Sequence, residues 1–343
     1  MTDMPWRPTE LDERIWAEEL DPFVPQRVFD VHTHLHSWDH YIDLDKHVGP
    51  YAGTIGHYFP RADRVIADAV DASLMPGRDV ERLSFPYPYP RPMDLAAANA
   101  LVADEVCGNS AGLMMVHPEM NVETIRTTLR TTGIIGLKPY LVYAKGTAPA
   151  DAAITDFLPE EQIALADELG LIIMMHLSKR DAVADPDNIR DLLDLTARYP
   201  NAKWILAHCA RSYSAWAIEA AASALRDIPN IWYDTSTVCE ADTLDALYTG
   251  VGVDRVMYGS DDLIGPMRGK YIAFGRAWAL LHPGNHSLSL GHCNPEMTFI
   301  RYEQLRAMKR GARQVGLTEA QRNALFHDTA RALVDSVPKP DGT

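Results

Sequence analysis

A (β/α)8 barrel is the fold this sequence predicts, an α/β architecture with one insertion after strand one and another after strand eight. Three observations point to it. Short apolar segments alternate with amphipathic ones along most of the chain, which reads as repeated βαβ units around a parallel sheet. Eight such apolar segments can be distinguished. Several of them end in His, Lys or Asp, and a barrel of parallel strands delivers that end of every strand to one rim.

Taken in order, the expected strands are Val28–His34, Val80–Phe85, Gly112–His117, Ile134–Pro139, Leu171–His176, Lys203–His208, Asn230–Thr235 and Arg255–Gly259. Between them, Met93–Cys107, Val122–Thr131, Glu160–Leu169, Pro186–Arg198, Tyr213–Arg226 and Glu240–Tyr248 carry apolar residues at three- or four-residue spacing, the period of a helix with one buried face. The segment Trp38–Met75 after strand one is rich in aromatics and His and would lie over the barrel mouth. Leu263–Glu296 follows strand eight and contains Pro, Gly and three His. Residues 318–336 read as a closing pair of helices, and Pro338–Thr343 as a frayed tail. The chain, 1–343, is read as one domain with its core at about 28–335.

Composition narrows the function. With 47% hydrophobic residues in 343, the chain can bury a core of this size. A formal net charge of -15 without any run of Lys or Arg argues against nucleic acid or an anionic membrane as partner. A small-molecule substrate is expected; the oligomeric state is open, with a homodimer paired through the long loops as one option. Cys107, Cys209, Cys239 and Cys293 are far apart, so neither a zinc knuckle nor a disulfide framework is indicated, and a reduced, cytoplasmic setting fits. The N-terminal segment is acidic and lacks an apolar signal core, and no apolar run approaches the roughly 20 residues of a membrane helix.

The chemistry is concentrated at the strand ends. In Val28-Phe29-Asp30-Val31-His32-Thr33-His34 the two histidines lie two apart, so on a strand they share a face and can grip one divalent cation. His36 extends the alternation but falls in the expected loop. His117 ends the third strand, Lys138 the fourth, His176 the fifth and His208 the sixth, while Asp261 and Asp262 follow the eighth. Three His and one Asp around a cation suit zinc, manganese or ferrous iron. His208 reads as a catalytic group or as a ligand. His117 reads equally as a substrate contact, a support to the ligands or packing at a strand end. Asp262 is expected to cap the turn that follows. Arg211, Arg268 and Lys270 would suit a substrate carboxylate or phosphate if they face the pocket, and otherwise are solvated or salt-bridged loop cations. Trp38, Tyr41, Tyr51, Tyr58 and Phe59 could form a lid or pack the insertion onto the barrel.

Together the motifs FDVHTH, IIMMHLS, WILAHCA, IWYDTS and VMYGSDD, with the closing FHDTARAL, resemble the amidohydrolase superfamily, in particular the family 2 group that includes the aminocarboxymuconate-semialdehyde decarboxylase relatives. The resemblance spans roughly residues 28–335 and implies the (β/α)8 scaffold. It also implies that His32, His34, His176 and Asp261 hold the metal, that His208 faces the substrate as polariser or acid/base, and that Asp261 holds the activated water and shuttles its proton. Zinc is the expected ion. In several branches of the superfamily a lysine on the fourth strand becomes a carbamate bridging two ions, whereas the family 2 relatives use one. One ion is therefore expected, or two if Lys138 is carbamylated. The alternative for Lys138 is a substrate contact or an ion pair, and Tyr140 in the same Gly-Leu-Lys-Pro-Tyr segment is an expected substrate contact, as are Arg211 and His117. Hydrolysis of an amide, lactone or ester bond in a small carboxylated molecule is the first reading. Non-oxidative decarboxylation of a small acid is the second, and a non-catalytic metal-binding barrel the third.

Overall fold

Strands that carry Ile, Met, Trp and Val on both faces must be covered on both sides, which is how parallel sheets are built. A computed structural model describes residues 6–42, 59–88, 93–284 and 289–338. Its strands are β1 (Arg27–Ser37), β2 (Arg61–Ala62), β3 (Asp79–Pro86), β4 (Ala111–Gly112), β5 (Met114–Val116), β6 (Gly136–Pro139), β7 (Ile172–Met175), β8 (Lys203–Leu206), β9 (Ile231–Asp234), β10 (Val256–Met257), β11 (Lys270–Phe274) and β12 (Ala277–Leu281). One sheet runs β2-β1-β3-β4 and a second runs β10-β9-β8-β7-β6-β5; within them every pairing is parallel except β1 with β2.

Backbone hydrogen bonds cross both gaps between these sheets. Beyond β10, the Tyr258 carbonyl accepts from Val31 N–H, and the Asp262 carbonyl accepts from His34 N–H, while Asp261 N–H donates to the His32 carbonyl. On the other side Leu113 N–H donates to Ser84 of β3, and Ile135 N–H donates to Gly112. The expected third strand is thus split at Leu113 into β4 and β5, and the expected eighth is reduced to two paired residues whose continuation still bonds to β1. β1 runs further than expected, through Ser37, so His36 is a strand residue and not a loop residue.

Helices fill the connections close to their expected bounds, for local reasons. Asn121 caps Val122–Thr132 through the N–H groups of Glu123 and Thr124, and Gly133, at φ 71°, ends it. Pro186 opens Pro186–Arg198 behind the Asp185 cap. Gly136 is required because a Cβ there would lie 2.2 Å from the Ile172 carbonyl oxygen. Residues 318–336 form the expected closing pair, Glu319–Asn323 and Thr329–Asp335, joined by a wider turn at Ala324–Asp328. Helix Ile300–Gln314 has no clear apolar period in sequence, because its buried face includes Arg301 and Gln304.

Arg301 shows why that helix is polar inside. It is fully buried, donates Nη1 to Asp71 Oδ1 at 2.5 Å and bonds Asp262 through Nη2. Arg82 bonds the other oxygen of Asp71. Asp262 is therefore an ion-pair partner beneath the strand ends, not the expected turn cap. Asp30 completes the seam: its Oδ1 accepts from His32 N–H at 3.0 Å and from Ser260 N–H at 2.9 Å.

Of the aromatic residues after strand one, Tyr51 and Tyr58 lie outside the described residues. Phe59 stacks on Trp6, and Tyr41 packs with Trp38 and bonds His36 Nδ1 at 2.7 Å. Trp38, Tyr41 and Phe59 thus each pack against described neighbours. The same network makes a stability prediction. Arg301→Leu leaves Asp71 and Asp262 buried without a shared cation, so the unfolding free energy is expected to drop by about 3–5 kcal/mol in chemical denaturation. A loss below about 1 kcal/mol would show that the pairs hold nothing together.

Candidate metal centre

Three adjoining strand ends bring the first group together. His32 and His34 stand on β1, and both are buried. Asp261 lies just past β10, with φ 56°, in the turn closed by Ile264 and Gly265 N–H on its carbonyl. Its Oδ1 is 3.2 Å from His34 Nε2 and 3.6 Å from His32 Nε2. Asp234 ends β9 and meets His32 Nδ1 at 2.9 Å through Oδ2. Gly259 permits this approach, since a Cβ there would lie 2.8 Å from His32 Cβ and 3.5 Å from that of Asp234.

These contacts fix the ring protons. Asp234 is held well below the usual carboxylate range: burial pushes it up, and the hydrogen bonds it accepts from His32 and Ser236 draw it further down. It accepts, so His32 Nδ1 donates. His34 Nδ1 lies 3.2 Å from the Pro86 carbonyl, which can only accept. Burial draws His32 down to about 4 and His34 also downward, against the pull of the nearby carboxylates, so both rings are neutral. Their Nε2 atoms then carry lone pairs. Asp261, whose carboxyl stays on the low side of the carboxylate range despite its burial, presents Oδ1 to both. Two lone pairs thus face a carboxylate in a buried site, an arrangement that a cation satisfies.

His176 follows β7 and lines the same cleft, with its ring 5.0 Å from Tyr140 and 5.1 Å from His208. It lies beside the compact group His32, His34 and Asp261, not within it. Its pKa is depressed, by burial first and then by His208 and Arg211.

His208 enters the cleft on an unusual backbone. His208, Cys209, Ala210 and Arg211 all have φ between 51° and 59°, a left-handed turn closed by Ser212 N–H on the His208 carbonyl at 2.8 Å. Such a conformation costs on the order of 1–2 kcal/mol per L-residue, so the surroundings must impose it. His208 N–H donates to Asp234 Oδ1 at 2.9 Å, and its Nδ1 faces the Ser236 carbonyl at 3.1 Å. Arg211 lines the cleft, donates to the Lys179 carbonyl and has no carboxylate in ion-pair range among the described residues.

Lys138 is fully buried beneath the cleft. Its amine lies 4.6 Å above the Phe85 ring and has no hydrogen-bond partner among the described residues; burial lowers its pKa to about 8 against the attraction of Asp234 and Asp261. Tyr140 lines the cleft. His117 does not: its Nδ1 accepts from Glu119 N–H and its carbonyl from Gln162. Arg268 is tied to Asp12 and Lys270 to Glu303, so of the three expected cations only Arg211 reaches the cleft. His36 is buried against Tyr41 and also stays outside it.

The cleft encloses about 160 Å³. A groove of about 440 Å³ beside the N-terminal helix is larger but holds none of these histidines, so chemistry and not size identifies the site. Two features escaped the sequence reading. Asp234 stands at a strand end inside IWYDTS, where the rule used for the histidines would have found it. The wall formed by Tyr213, Tyr271 and Trp278, with Tyr213 and Trp278 stacked at 4.3 Å, depends on how hairpin β11–β12 folds back and left no local signal.

Comparison with known proteins gives a consistent picture. The amidohydrolase family profile matches residues 29–335. No curated protein matches the sequence. Among solved structures, a candidate 2-pyrone-4,6-dicarboxylic acid hydrolase from Pseudomonas putida shares 16% identity at a TM-score of 0.54, over 91% of this chain and 98% of that one. The 2,6-dihydroxybenzoate decarboxylase from Rhizobium shares 14% at 0.52, over 91% and 99%. A 5-carboxyvanillate decarboxylase from Novosphingobium aromaticivorans, solved with manganese and 4-hydroxy-3-methoxy-5-nitrobenzoic acid, shares 12% at 0.53, over 91% and 96%. At these identities the likeness is one of fold.

The depressed histidines predict an acid-sensitive apo protein. Between the folded value of about 4 for His32 and the ordinary 6.5, the unfolded chain binds more protons, so stability rises with pH through that window. Taking metal-free protein from pH 7 to pH 5 is expected to remove about 2 kcal/mol through His32, read as the part of the pH dependence of urea midpoints that wild type shows and His32→Gln lacks; this sets aside buried Asp30, whose carboxyl is pushed up to about 7 and acts in the opposite direction. The same pH dependence in both proteins would contradict a neutral, buried His32.

Proposed function

The chain belongs to the amidohydrolase family, and from that premise we propose that it is a metal-dependent hydrolase of a small carboxylated molecule, acting on an amide, lactone or ester bond. The observation that carries the reading is the convergence of two imidazole lone pairs on the Asp261 carboxylate. His32, His34 and Asp261 would hold the ion, with His176 as the donor at the edge. Zinc is favoured, and manganese and ferrous iron suit the same donors. Bound there, a divalent ion supplies Lewis acidity, polarising a carbonyl and lowering the pKa of water. We favour one ion, because Asp234 is already engaged by His32 and His208 and is not free to complete a second site. The two sheets are read as one closed (β/α)8 barrel in a single domain, in a cytoplasmic protein that pairs as a homodimer.

The chain's own residues supply the rest. Asp261, ionised, takes a proton from the attacking water and returns it to the leaving group. With Nδ1–H directed to the Ser236 carbonyl, the remaining lone pair of His208 is on Nε2, which suits proton uptake better than polarisation of a carbonyl. Arg211, a partly buried cation without a carboxylate partner among the described residues, receives the substrate carboxylate. Tyr140 and the Tyr213–Trp278 wall pack against its apolar part. Lys138 adds positive potential from beneath and does not touch the substrate. His117 has no part in this reading.

Decarboxylation of a small acid is the second reading, favoured by the activity of two of the structural neighbours and by the aromatic cleft wall. The same groups would then orient the acid and return a proton to the carbon that loses carbon dioxide. A panel of lactones, amides and aromatic acids offered to zinc- and manganese-loaded protein tests both, with carbon dioxide release separating them. On the substrate found, His208→Ala is expected to lower kcat about 100-fold or more with the ion retained. Unchanged turnover would remove His208 from the mechanism.

A further inference from the structure

Asp234 makes contacts that no single task explains. Oδ2 takes His32 Nδ1–H, whereas Oδ1 takes His208 N–H at 2.9 Å, Ser236 N–H at 3.0 Å and the Ser236 hydroxyl. One oxygen therefore serves a proposed ligand on β1. The other serves the first residue of the left-handed turn after β8. That turn has no glycine and comprises Ala, His, Cys and Arg, residues that ordinarily coil the other way. Its sequence gives no reason for four successive positive φ values, and Asp234 bonds the N–H at its start. Both groups that the turn presents to the cleft, His208 and Arg211, lie downstream of that one hydrogen bond.

We infer that Asp234 is a positioning residue with two tasks: it sets the His32 ring so that Nε2 faces Asp261, and it pins the left-handed turn that carries His208 and Arg211. The first task rests on the metal reading of the site; the second does not. Asp234 thereby couples the ion-holding end of the cleft to the end that receives the anion, although it lines neither.

Asp234→Asn separates the tasks. The amide oxygen still accepts from His208 and Ser236, but its NH2 confronts His32 Nδ1, which must give up its proton and become the acceptor. In full-length chain labelled with 15N-histidine and stripped of metal by chelation, the His32 ring is expected to change from the Nδ1–H to the Nε2–H form. Zinc affinity, titrated against a competing chelator, is expected to fall about 10- to 100-fold. Hydrogen exchange over residues 207–213 should match wild type. Asp234→Ala removes both tasks, and exchange in that segment should rise about tenfold or more while the rest of the chain is unchanged. If the Ala variant fails to fold, Asp234→Glu, which displaces the carboxylate from both donors but keeps its charge, is expected to give the same rise. A wild-type ring form in the Asn variant overturns the first task. Unchanged exchange in the Ala or Glu variant overturns the second. Wild-type protein with no zinc affinity would refute the metal reading instead, since the ring and exchange measurements are made without metal.

Discussion

Two imidazole lone pairs and a carboxylate oxygen face one another at 3.2 Å and 3.6 Å inside a buried cleft. In water such acceptors would turn apart or share a proton. Here neither is available. Asp234 and the Pro86 carbonyl hold the outer nitrogens of both rings, and burial keeps the rings neutral. The chain has fixed, ahead of any ligand, a geometry that is unfavourable by itself and favourable around a cation. Its other polar features can be understood as what is needed to hold that geometry in place.

The support comes from two directions. From below, Arg301 joins Asp71 and Asp262, and Asp30 ties β1 to the residues after β10, so the strand ends bearing His32, His34 and Asp261 are clamped to one another. From the side, Asp234 reaches His32 with one oxygen and the left-handed turn with the other. That turn, at several kcal/mol of intrinsic cost, places His208 and Arg211 on the cleft. Among the described residues, much of the strain and buried charge thus lies around one cleft of about 160 Å³, with the buried Asp12–Arg268 pair as a separate tie to the N-terminal helix.

Much of this was legible in the sequence, and the reason is geometric. Parallel strands carry their last residues to one rim, so His32, His34, His176, His208 and Asp261 announced a shared site from local position alone, and all five line the cleft. Asp234 was readable by the same rule. What could not be read depends on tertiary partners. Ala207–Arg211 consists of residues that would ordinarily make a right-handed turn; only the hydrogen bond to Asp234 and the enclosure of the turn indicate otherwise. Arg268 and Lys270 are equivalent to Arg211 in local sequence, and only the fold pairs them with Asp12 and Glu303. Helix Ile300–Gln314 hid behind a buried face whose arginine serves the site's foundation and not a solvent surface.

The measurement that bears most directly on this account is elemental mass spectrometry of the purified full-length protein, wild type beside Asp261→Asn, after reconstitution with zinc or manganese and removal of free ion. The account predicts about one ion per wild-type chain and a loss of most of it in the variant, which keeps the shape of the site but removes the charge facing the two imidazoles. Equal occupancy in the two proteins, or none in either, would contradict it.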